Sequence, residues 1–168
     1  MKRFLFVTVF LFFSISLSAQ LKIGYIDSEF IRKQVTDFQD VDKKMDTFVK
    51  EWNDEIAKID KTWKEKYDDY DRRKLLLSDQ KRVEMESELQ ALEKKMMDLR
   101  QAKYGPSGEF QKKQEELLKP VLEKVNAAVK KVAEENNYDF IFDRSGDIIF
   151  VYAKEEYDVT NLVLEKLK

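Results

Sequence analysis

The stretch VDKKMDTFVKEWNDEIAKIDKTWKEKYDDY, residues 41–70, decides the fold of this chain. Its apolar side chains recur at steps of four, three and four residues, the spacing of one face of a long helix. These steps form an 11-residue repeat, which predicts a nearly straight or slightly right-handed stripe rather than a heptad seam. The stripe consists of Val41, Met45, Phe48, Trp52, Ile56, Ile59, Trp63, Tyr67 and Tyr70. We therefore predict one long helix, the outgoing limb.

Two further apolar stripes predict a helical limb that returns. The first has the alternating four and three spacing of a coiled-coil seam. The second predicts a helix that ends near Asn136 or Asn137, because Asn tolerates the left-handed conformation that closes helices. The stripes are Met85, Leu89, Leu92, Met96 and Leu99, and then Phe110, Leu118, Val121, Val125, Val129 and Val132.

Two segments compete for the turn between the limbs. The sequence GPSG at 105–108 has the stronger turn composition. A turn there would leave limbs of roughly 100 Å and 44 Å, at about 1.5 Å per residue, which cannot pair along their length. We therefore predict the tip at residues 75–80, with Ser78 as N-cap of the returning helix. Gly105, Pro106 and Gly108 then form an elbow, and Pro120 adds a kink, so these four residues are candidate hinges.

Short β-like segments flank the limbs and predict a small base. Strands are expected at 21–27, 138–143 and 148–152, with a hairpin turn at 143–147. A short helix is expected at 29–35, and a last helix at about 159–167 with Asp158 as its cap. Thr36 and Gln39 fit a capping box, which would start the arm near Asp37.

These predictions define an α+β, mostly α fold, with a long antiparallel α-helical hairpin arm on a small β body. The body comprises residues 21–36 and 138–168, and the arm comprises 37–137. Three short strands bury little apolar surface, and small bases of this kind are usually completed by oligomerisation.

Composition argues against an enzyme. The 168 residues include no His and no Cys, which removes the commonest general base, metal ligand and thiol nucleophile. The acidic residues do not form a pair that sequence can nominate for catalysis, and no phosphate-binding or metal-spacing motif occurs. We predict no catalytic residue, no metal and no cofactor.

The N-terminus is typical of a secretory signal peptide. A basic Met1–Lys2–Arg3 start precedes the apolar run FLFVTVFLFF and the small residues SISLSA, which predicts a signal at 1–19 with cleavage after 19 or 20. Loss of Lys2 and Arg3 leaves 29 basic against 33 acidic residues, a net charge of −4. This balance gives no case for nucleic-acid binding.

Two surfaces are candidates for binding. Trp52, Trp63, Tyr67 and Tyr70 lie on one face of the outgoing limb, where they either pack against the returning limb or offer an aromatic surface to unfolded chains. The tip combines basic and apolar residues, so it is either an ordinary solvated turn or a contact for anionic lipid or acidic segments. The tip residues are Arg72, Arg73, Lys74, Leu75, Leu76, Leu77, Lys81 and Arg82.

The order of these segments resembles the Skp/OmpH family of periplasmic chaperones, in its Bacteroidetes-type version. The resemblance rests on KIGYIDSEFI at 22–31, LLLSDQKR at 75–82, YGPSGEF at 104–110, LLKPVLEKV at 117–125, YDFIFD at 138–143 and YDVTNLVLEKLK at 157–168. It spans essentially the whole chain after the signal.

The resemblance implies a periplasmic, ATP-independent holdase for unfolded outer-membrane β-barrel proteins. It implies a trimeric, jellyfish-like assembly whose three arms enclose a cavity, with no catalytic residues, and with lipopolysaccharide or anionic lipid contact at basic arm tips. A second class fits the shape, namely a structural or tethering coiled-coil protein of the cell envelope with one fixed partner. Flexible joints at the elbow and Pro120 favour the holdase.

Overall fold

The outgoing limb is a single helix of 38 residues, Thr36–Arg73, in which neither Gly nor Pro occurs. At about 1.5 Å per residue it extends roughly 57 Å. The computed structural model describes residues 21–146 and 150–168. The predicted signal peptide at 1–19 therefore lies outside the described residues.

The elements follow the order expected for a hairpin arm on a base. In chain order they are β1 (Ile23–Ile26), α1 (Ser28–Gln34), α2 (Thr36–Arg73), α3 (Asp79–Tyr104), α4 (Glu109–Asn136), β2 (Phe140–Asp143), a 3₁₀ turn (Glu155–Tyr157) and α5 (Thr160–Lys166). The long antiparallel hairpin of the predicted fold class is thus confirmed. Within the described residues, none of these helices has the length and apolarity that a membrane span requires.

The chain reverses between Arg73 and Asp79. Ser78 is the N-cap of α3, and its Oγ accepts a hydrogen bond from the backbone N–H of Lys81 at 3.4 Å. Asp79 lies in the first turn, where the positive end of the helix dipole favours a carboxylate. The cap predicted from sequence is confirmed.

The returning limb is broken once, at the GPSG segment. α3 ends at Tyr104 with Gly105 as C-cap, and α4 begins at Glu109 with Gly108 as N-cap. Ser107 adopts a φ of 61°, the left-handed conformation that ends regular helix. α4 continues through Pro120 and ends at Asn136, with Asn137 left-handed as predicted.

The base contains a parallel pair of strands. β1 pairs with β2 in the register Ile23↔Phe140 to Ile26↔Asp143, so the whole arm forms the connection between them. On its other edge β1 meets the segment before α5 through a Tyr25↔Asp158 bridge. The third predicted strand, 148–152, is not found at 150–152, and residues 147–149, including the end of the predicted hairpin turn, lie outside the described residues.

Two predicted caps differ from the structure. Thr36 is the first residue of α2 rather than a capping residue, because the extended Val35 ends α1 and starts α2 without a side-chain cap. Val159, not Asp158, is the N-cap of α5, although Asp158 Oδ1 accepts from the Thr160 N–H at 2.9 Å.

The hydrophobic core lies in the base and the adjoining third of the arm. α2 and α4 bring apolar faces together there, and α1 and α5 close the end. The fully buried side chains are Ile31, Val132, Val159 and Val163. The core therefore stabilises the part of the arm next to the base. The part toward the tip is held by a narrow seam, which is the contact between α2 and α3.

Candidate interaction surfaces

The four predicted aromatic residues of α2 do not form one exposed face. Trp52 is 6% exposed and stacks on Phe48, with ring centroids 5.9 Å apart. Tyr104 covers it edge-on at 5.8 Å, and Lys103 Nζ lies 5.3 Å from the ring. Trp52 is therefore part of the packing at the elbow, which is the first of its two alternatives, packing against the returning limb.

Trp63 and Tyr67 form the accessible part of the aromatic row. Their rings stack with centroids 5.0 Å apart and an interplanar angle of 11°. Tyr67 is 43% exposed, while Trp63 is half-buried, and its Nε1 is buried without a hydrogen-bond partner among the described residues. A stacked pair with one open side offers a flat apolar contact area.

Tyr70 belongs to the seam between the limbs. Its hydroxyl donates a hydrogen bond to Glu86 of α3, and the Glu86 carboxylate raises the pKa of Tyr70 by stabilising the protonated phenol. Lys66 of α2 contacts Glu88 of α3 at 2.6 Å, which lowers the pKa of Glu88. Polar pairs thus join the limbs toward the tip.

The tip presents two leucines to solvent. Leu75 is 90% and Leu76 87% exposed, whereas Leu77 is half-buried. Their exposure follows from the position of the turn, because no third element of the described chain covers residues 74–78. Two adjacent exposed leucines are an apolar contact point at the far end of the arm.

Most basic side chains of the tip have acidic neighbours. The ion pairs are Arg73–Asp69, Lys74–Asp71, Lys81–Glu84 and Arg82–Asp79, at 3.1, 2.7, 2.7 and 3.5 Å. The Asp71 carboxylate raises the pKa of Lys74. Arg72 has no ion pair among the described residues. The positive field of the tip is weaker than its count of basic residues suggests, because exposed pairs screen one another.

The elbow is clamped on both sides. Lys103 of α3 reaches across the break to Glu109 of α4 at 2.8 Å, and its side chain is only 14% exposed. Tyr104 donates a hydrogen bond to Asn53 Oδ1 of α2 at 3.0 Å, and Lys113 Nζ lies 5.7 Å from the Phe48 ring. Sequence reasoning identified the break but missed Lys103 and Tyr104. Their positions immediately before GPSG were the available signal.

The candidate hinge residues have little room at the glycines. A Cβ on Gly108 would lie 2.8 Å from Gly105 O and 2.9 Å from Lys103 O. A Cβ on Gly105 would meet the carbonyl oxygen of Gln101 even more closely. Pro106 lies between them, and Pro120 lies within α4. The structure therefore shows a tightly packed joint at 105–108.

An apolar groove of about 690 Å³ opens at the base beside β1. Phe150 contributes a ring 5.7 Å from Tyr25, and Val151 next to it is 96% exposed. The lining residues are Leu21, Lys22, Ile23, Gly24, Tyr25, Phe150, Tyr152, Ala153, Lys154 and Tyr157. The sequence predicts an incomplete base but not this groove, because residues 148–152 were expected to form a strand.

Asp27 joins the ends of β1 and β2. Its Oδ1 accepts hydrogen bonds from the Phe30 N–H at 2.8 Å and the Ser145 hydroxyl at 2.8 Å. Arg144 Nε lies 3.6 Å from the other oxygen. The Phe30 N–H, the Ser145 hydroxyl and the Arg144 charge together hold the pKa of Asp27 below its ordinary value.

The acidic side chains of the described residues do not gather into a metal site. Over the described ranges, no three His, Cys, Asp or Glu side chains come close enough to hold a metal ion. The carboxylates are spread along the arm, mostly in exposed pairs with Lys or Arg. The geometry offers surfaces for contact with other molecules.

Comparisons with known proteins agree with this architecture. The family model described as outer membrane protein (OmpH-like) matches residues 22–167. No curated protein matches the chain. The fold is similar to the crystal structure of a protein from Caulobacter crescentus CB15 that was proposed to be an OmpH-like outer membrane chaperone. The sequence identity is 17%, the TM-score is 0.74, and the match covers 89% of this chain and 85% of that one.

Proposed function

The chain belongs to the OmpH-like outer membrane protein family, and on that basis we propose that it is an ATP-independent holdase chaperone of the periplasm. It binds unfolded outer-membrane β-barrel proteins in a cavity between helical arms and prevents their aggregation. The observation that carries the proposal is the family match over 22–167, which includes the base, both limbs and the tip. The signal peptide expected at 1–19 accounts for export to the periplasm.

The cavity requires more than one arm. A homotrimer supplies it, and the base offers a contact surface in the groove beside β1 together with the exposed Val151 and Tyr152. An apolar surface of this kind at the end of a small base is typical of an interface between subunits. Arms that leave a shared base would surround a common space.

Clients bind through apolar contacts on the arms. Trp63 and Tyr67 supply a stacked aromatic surface, and Leu75 with Leu76 supplies a second contact at the tip. Neither surface has a shape that demands one ligand, which suits a chaperone that takes many unfolded chains. Because the net charge after signal removal is −4, we assign more of the binding to these surfaces than to charge attraction.

The tip makes an additional contact with anionic lipid or lipopolysaccharide. Leu75 and Leu76 would enter the headgroup region while Arg72 and its basic neighbours meet phosphate groups. The acidic partners of those neighbours keep this attraction modest and dependent on salt. The contact is accessory to client binding.

Light scattering tests the proposal most directly. The mass of the protein without its signal is measured alone and then with an outer-membrane barrel diluted from urea. We expect a trimer that forms a discrete soluble complex with the barrel. A protein that leaves the barrel to precipitate contradicts the holdase, and a complex of fixed stoichiometry with one envelope partner would support the tethering function instead.

A further inference from the structure

The two parts of the arm differ in how well their helices are packed. Near the base, α2 and α4 bury Val41 and Met45 against Val121 and Val125. Within the described range 21–146, Leu89 is the only buried hydrophobic side chain between Ile56 and Val121. We call residues 57–99 the distal hairpin. Its seam rests on half-buried residues, so it is the less stable part of the arm.

The elbow separates the distal hairpin from the rest. Trp52, Tyr104 and the Lys103–Glu109 pair hold α3, α4 and α2 together at one level of the arm. Beyond that level α3 contacts α2 without support from α4, while below it α4 packs on α2. A fixed joint at this height allows the distal hairpin to open without disturbing the base.

Two hydrogen-bond donors in the distal hairpin are buried without acceptors. Trp63 Nε1 and Arg82 Nε have no partner among the described residues. Burying a donor without an acceptor destabilises the closed arrangement. The backbone carbonyls of an unfolded polypeptide are bonded only to water, so they are free to accept hydrogen bonds from both groups. A bound unfolded chain can therefore supply acceptors to two donors that have none in the closed seam of the described residues.

Besides the Tyr70–Glu86 hydrogen bond, the contacts across the distal seam can be exchanged for contacts with another chain. Lys66–Glu88 is an ion pair with both side chains about half exposed, and exposed pairs contribute little stability. The apolar seam residues offer aromatic, thioether and aliphatic surface, of which methionine adapts well to different partners. These residues are Ile59, Trp63, Met85, Leu92, Met96 and Leu99, and all are half-buried.

We infer that the distal hairpin is a cryptic binding site, in which α3 moves away from α2 and an unfolded polypeptide segment with apolar side chains occupies the seam. The inference rests on the proposed holdase function and places client contact inside the hairpin in addition to its outer face. The elbow clamp sets the lower limit of the opening. The occupant is an unfolded chain rather than a folded partner, because most backbone carbonyls of a folded protein are already paired internally, whereas those of an unfolded chain are bonded to water along its whole length.

A reversible cross-link tests the inference. The chain has no cysteine, so Lys66→Cys with Glu88→Cys places two unique thiols across the distal seam. A reducible bismaleimide then holds the seam closed. The matched control is Asp37→Cys with Lys124→Cys, which joins α2 to α4 near the base, where the native side chains lie 2.8 Å apart. Protection of a urea-unfolded outer-membrane barrel from aggregation is measured before linking, after linking and after reduction.

We expect the distal link to raise by about tenfold the protein concentration that prevents half of the barrel from aggregating. The reason is that the linked protein cannot adopt the conformation in which α3 has moved away from α2. Reduction should restore protection, and the control link should change it little. Equal protection by the distally linked and unlinked protein would overturn the inference and leave the holdase function standing. Failure of the unlinked protein to protect the barrel would overturn both.

Hydrogen exchange on the unmodified chain provides a second test that does not depend on the variants. We expect bound client to speed exchange of the α3 amides at residues 79–99, because those helix bonds lose the support of α2. The α4 amides near Val125 and Val132 should not change. Slower exchange along α3 with client bound would contradict opening and favour a closed hairpin that binds on its outer face.

Discussion

At the scale of single residues, the two tryptophans of α2 occupy different environments. Trp52 is enclosed by Phe48, Tyr104 and Lys103, whereas Trp63 stacks on Tyr67 and its Nε1 has no acceptor within residues 21–146 and 150–168. The sequence places both on the same helix face at helical spacing and cannot separate them. The difference arises from the elbow, which brings Tyr104 and Phe110 to the level of Trp52 only.

Replacement of Trp52 should destabilise the fold much more than a change at Trp63. Trp52→Ala removes a buried ring and should lower the free energy of unfolding by about 3–5 kcal/mol. Trp63→Phe keeps the aromatic stack and removes the unpartnered N–H, so it should cost less than about 1 kcal/mol. Urea unfolding followed by helical circular dichroism measures both. A loss for Trp63→Phe as large as that for Trp52→Ala would contradict this difference between the two environments.

Asp27 should make the base sensitive to acid. Its pKa is lowered in the folded state from the ordinary value of 3.8, so the carboxylate stabilises the fold at any pH above that value. This contribution is lost as the pH falls from 3.8 through the lower folded pKa. At neutral pH Asp27→Asn should reduce the free energy of unfolding by about 1 kcal/mol, since hydrogen bonds to a charged acceptor are stronger.

The measurement for Asp27 is urea unfolding of wild type and Asp27→Asn at several pH values. The difference between them should shrink as the pH falls below 3.8. Asp98→Asn, on the exposed side of α3, is the matched control and should show no such difference at neutral pH. A gap between wild type and Asp27→Asn that persists unchanged at low pH would show that the charge is not responsible.

At the scale of elements, sequence reasoning succeeded where local chemistry decides. Ser78 caps α3 and Asn137 closes α4, because each signal acts within a turn of its own backbone. It failed at Thr36, because the Val35 junction starts α2 without a side-chain cap, and at 150–152, where Phe150 and Tyr152 line a groove and no strand forms. The start of α2 and the conformation of residues 150–152 depend on contacts with distant segments, which a local sequence pattern does not predict. Lys103 and Tyr104 stand immediately before GPSG, but their partners in α2 and α4 follow only from the fold.

The elbow should tolerate no side chain at Gly108. A Cβ there would lie 2.8 to 3.0 Å from three carbonyl oxygens that belong to the end of α3 and to Gly105. Gly108→Ala should therefore lower the free energy of unfolding by about 1–3 kcal/mol, because the backbone must shift. Gly146→Ala is the matched control, since the nearest atom to its Cβ would be 3.6 Å away.

The effect of Gly108→Ala can be located with hydrogen exchange. Amides that flank the elbow in α3 and α4 should exchange faster in the variant, and those of α1 and α5 should not. If the variant matches Gly146→Ala in urea unfolding, then the joint at 105–108 is looser in solution than its packing indicates, and it would act as a free hinge.

At the scale of the whole molecule, stability and interaction surfaces are distributed unevenly. The base and near arm hold the fully buried side chains, and exposed apolar residues concentrate at the two ends. Leu75 and Leu76 lie at the tip, while Val151 and Tyr152 lie beside the groove of the base. The uneven core therefore stabilises the base and the adjoining part of the arm more than the distal hairpin.

This distribution predicts which end carries the assembly. Val151→Asp would place an unpaired carboxylate in the subunit interface that we propose at the base, and burial of such a charge is strongly unfavourable. We expect Val151→Asp to raise the concentration at which the trimer dissociates by about tenfold or more, so that light scattering gives the mass of a monomer where wild type is still a trimer.

Leu75→Asp is the matched control, because Leu75 is nearly as exposed as Val151 but lies at the tip. It should leave the mass unchanged and weaken only binding at the tip. A trimer that survives Val151→Asp but not Leu75→Asp would place the interface at the tips and would require arms that meet end to end instead of surrounding a cavity.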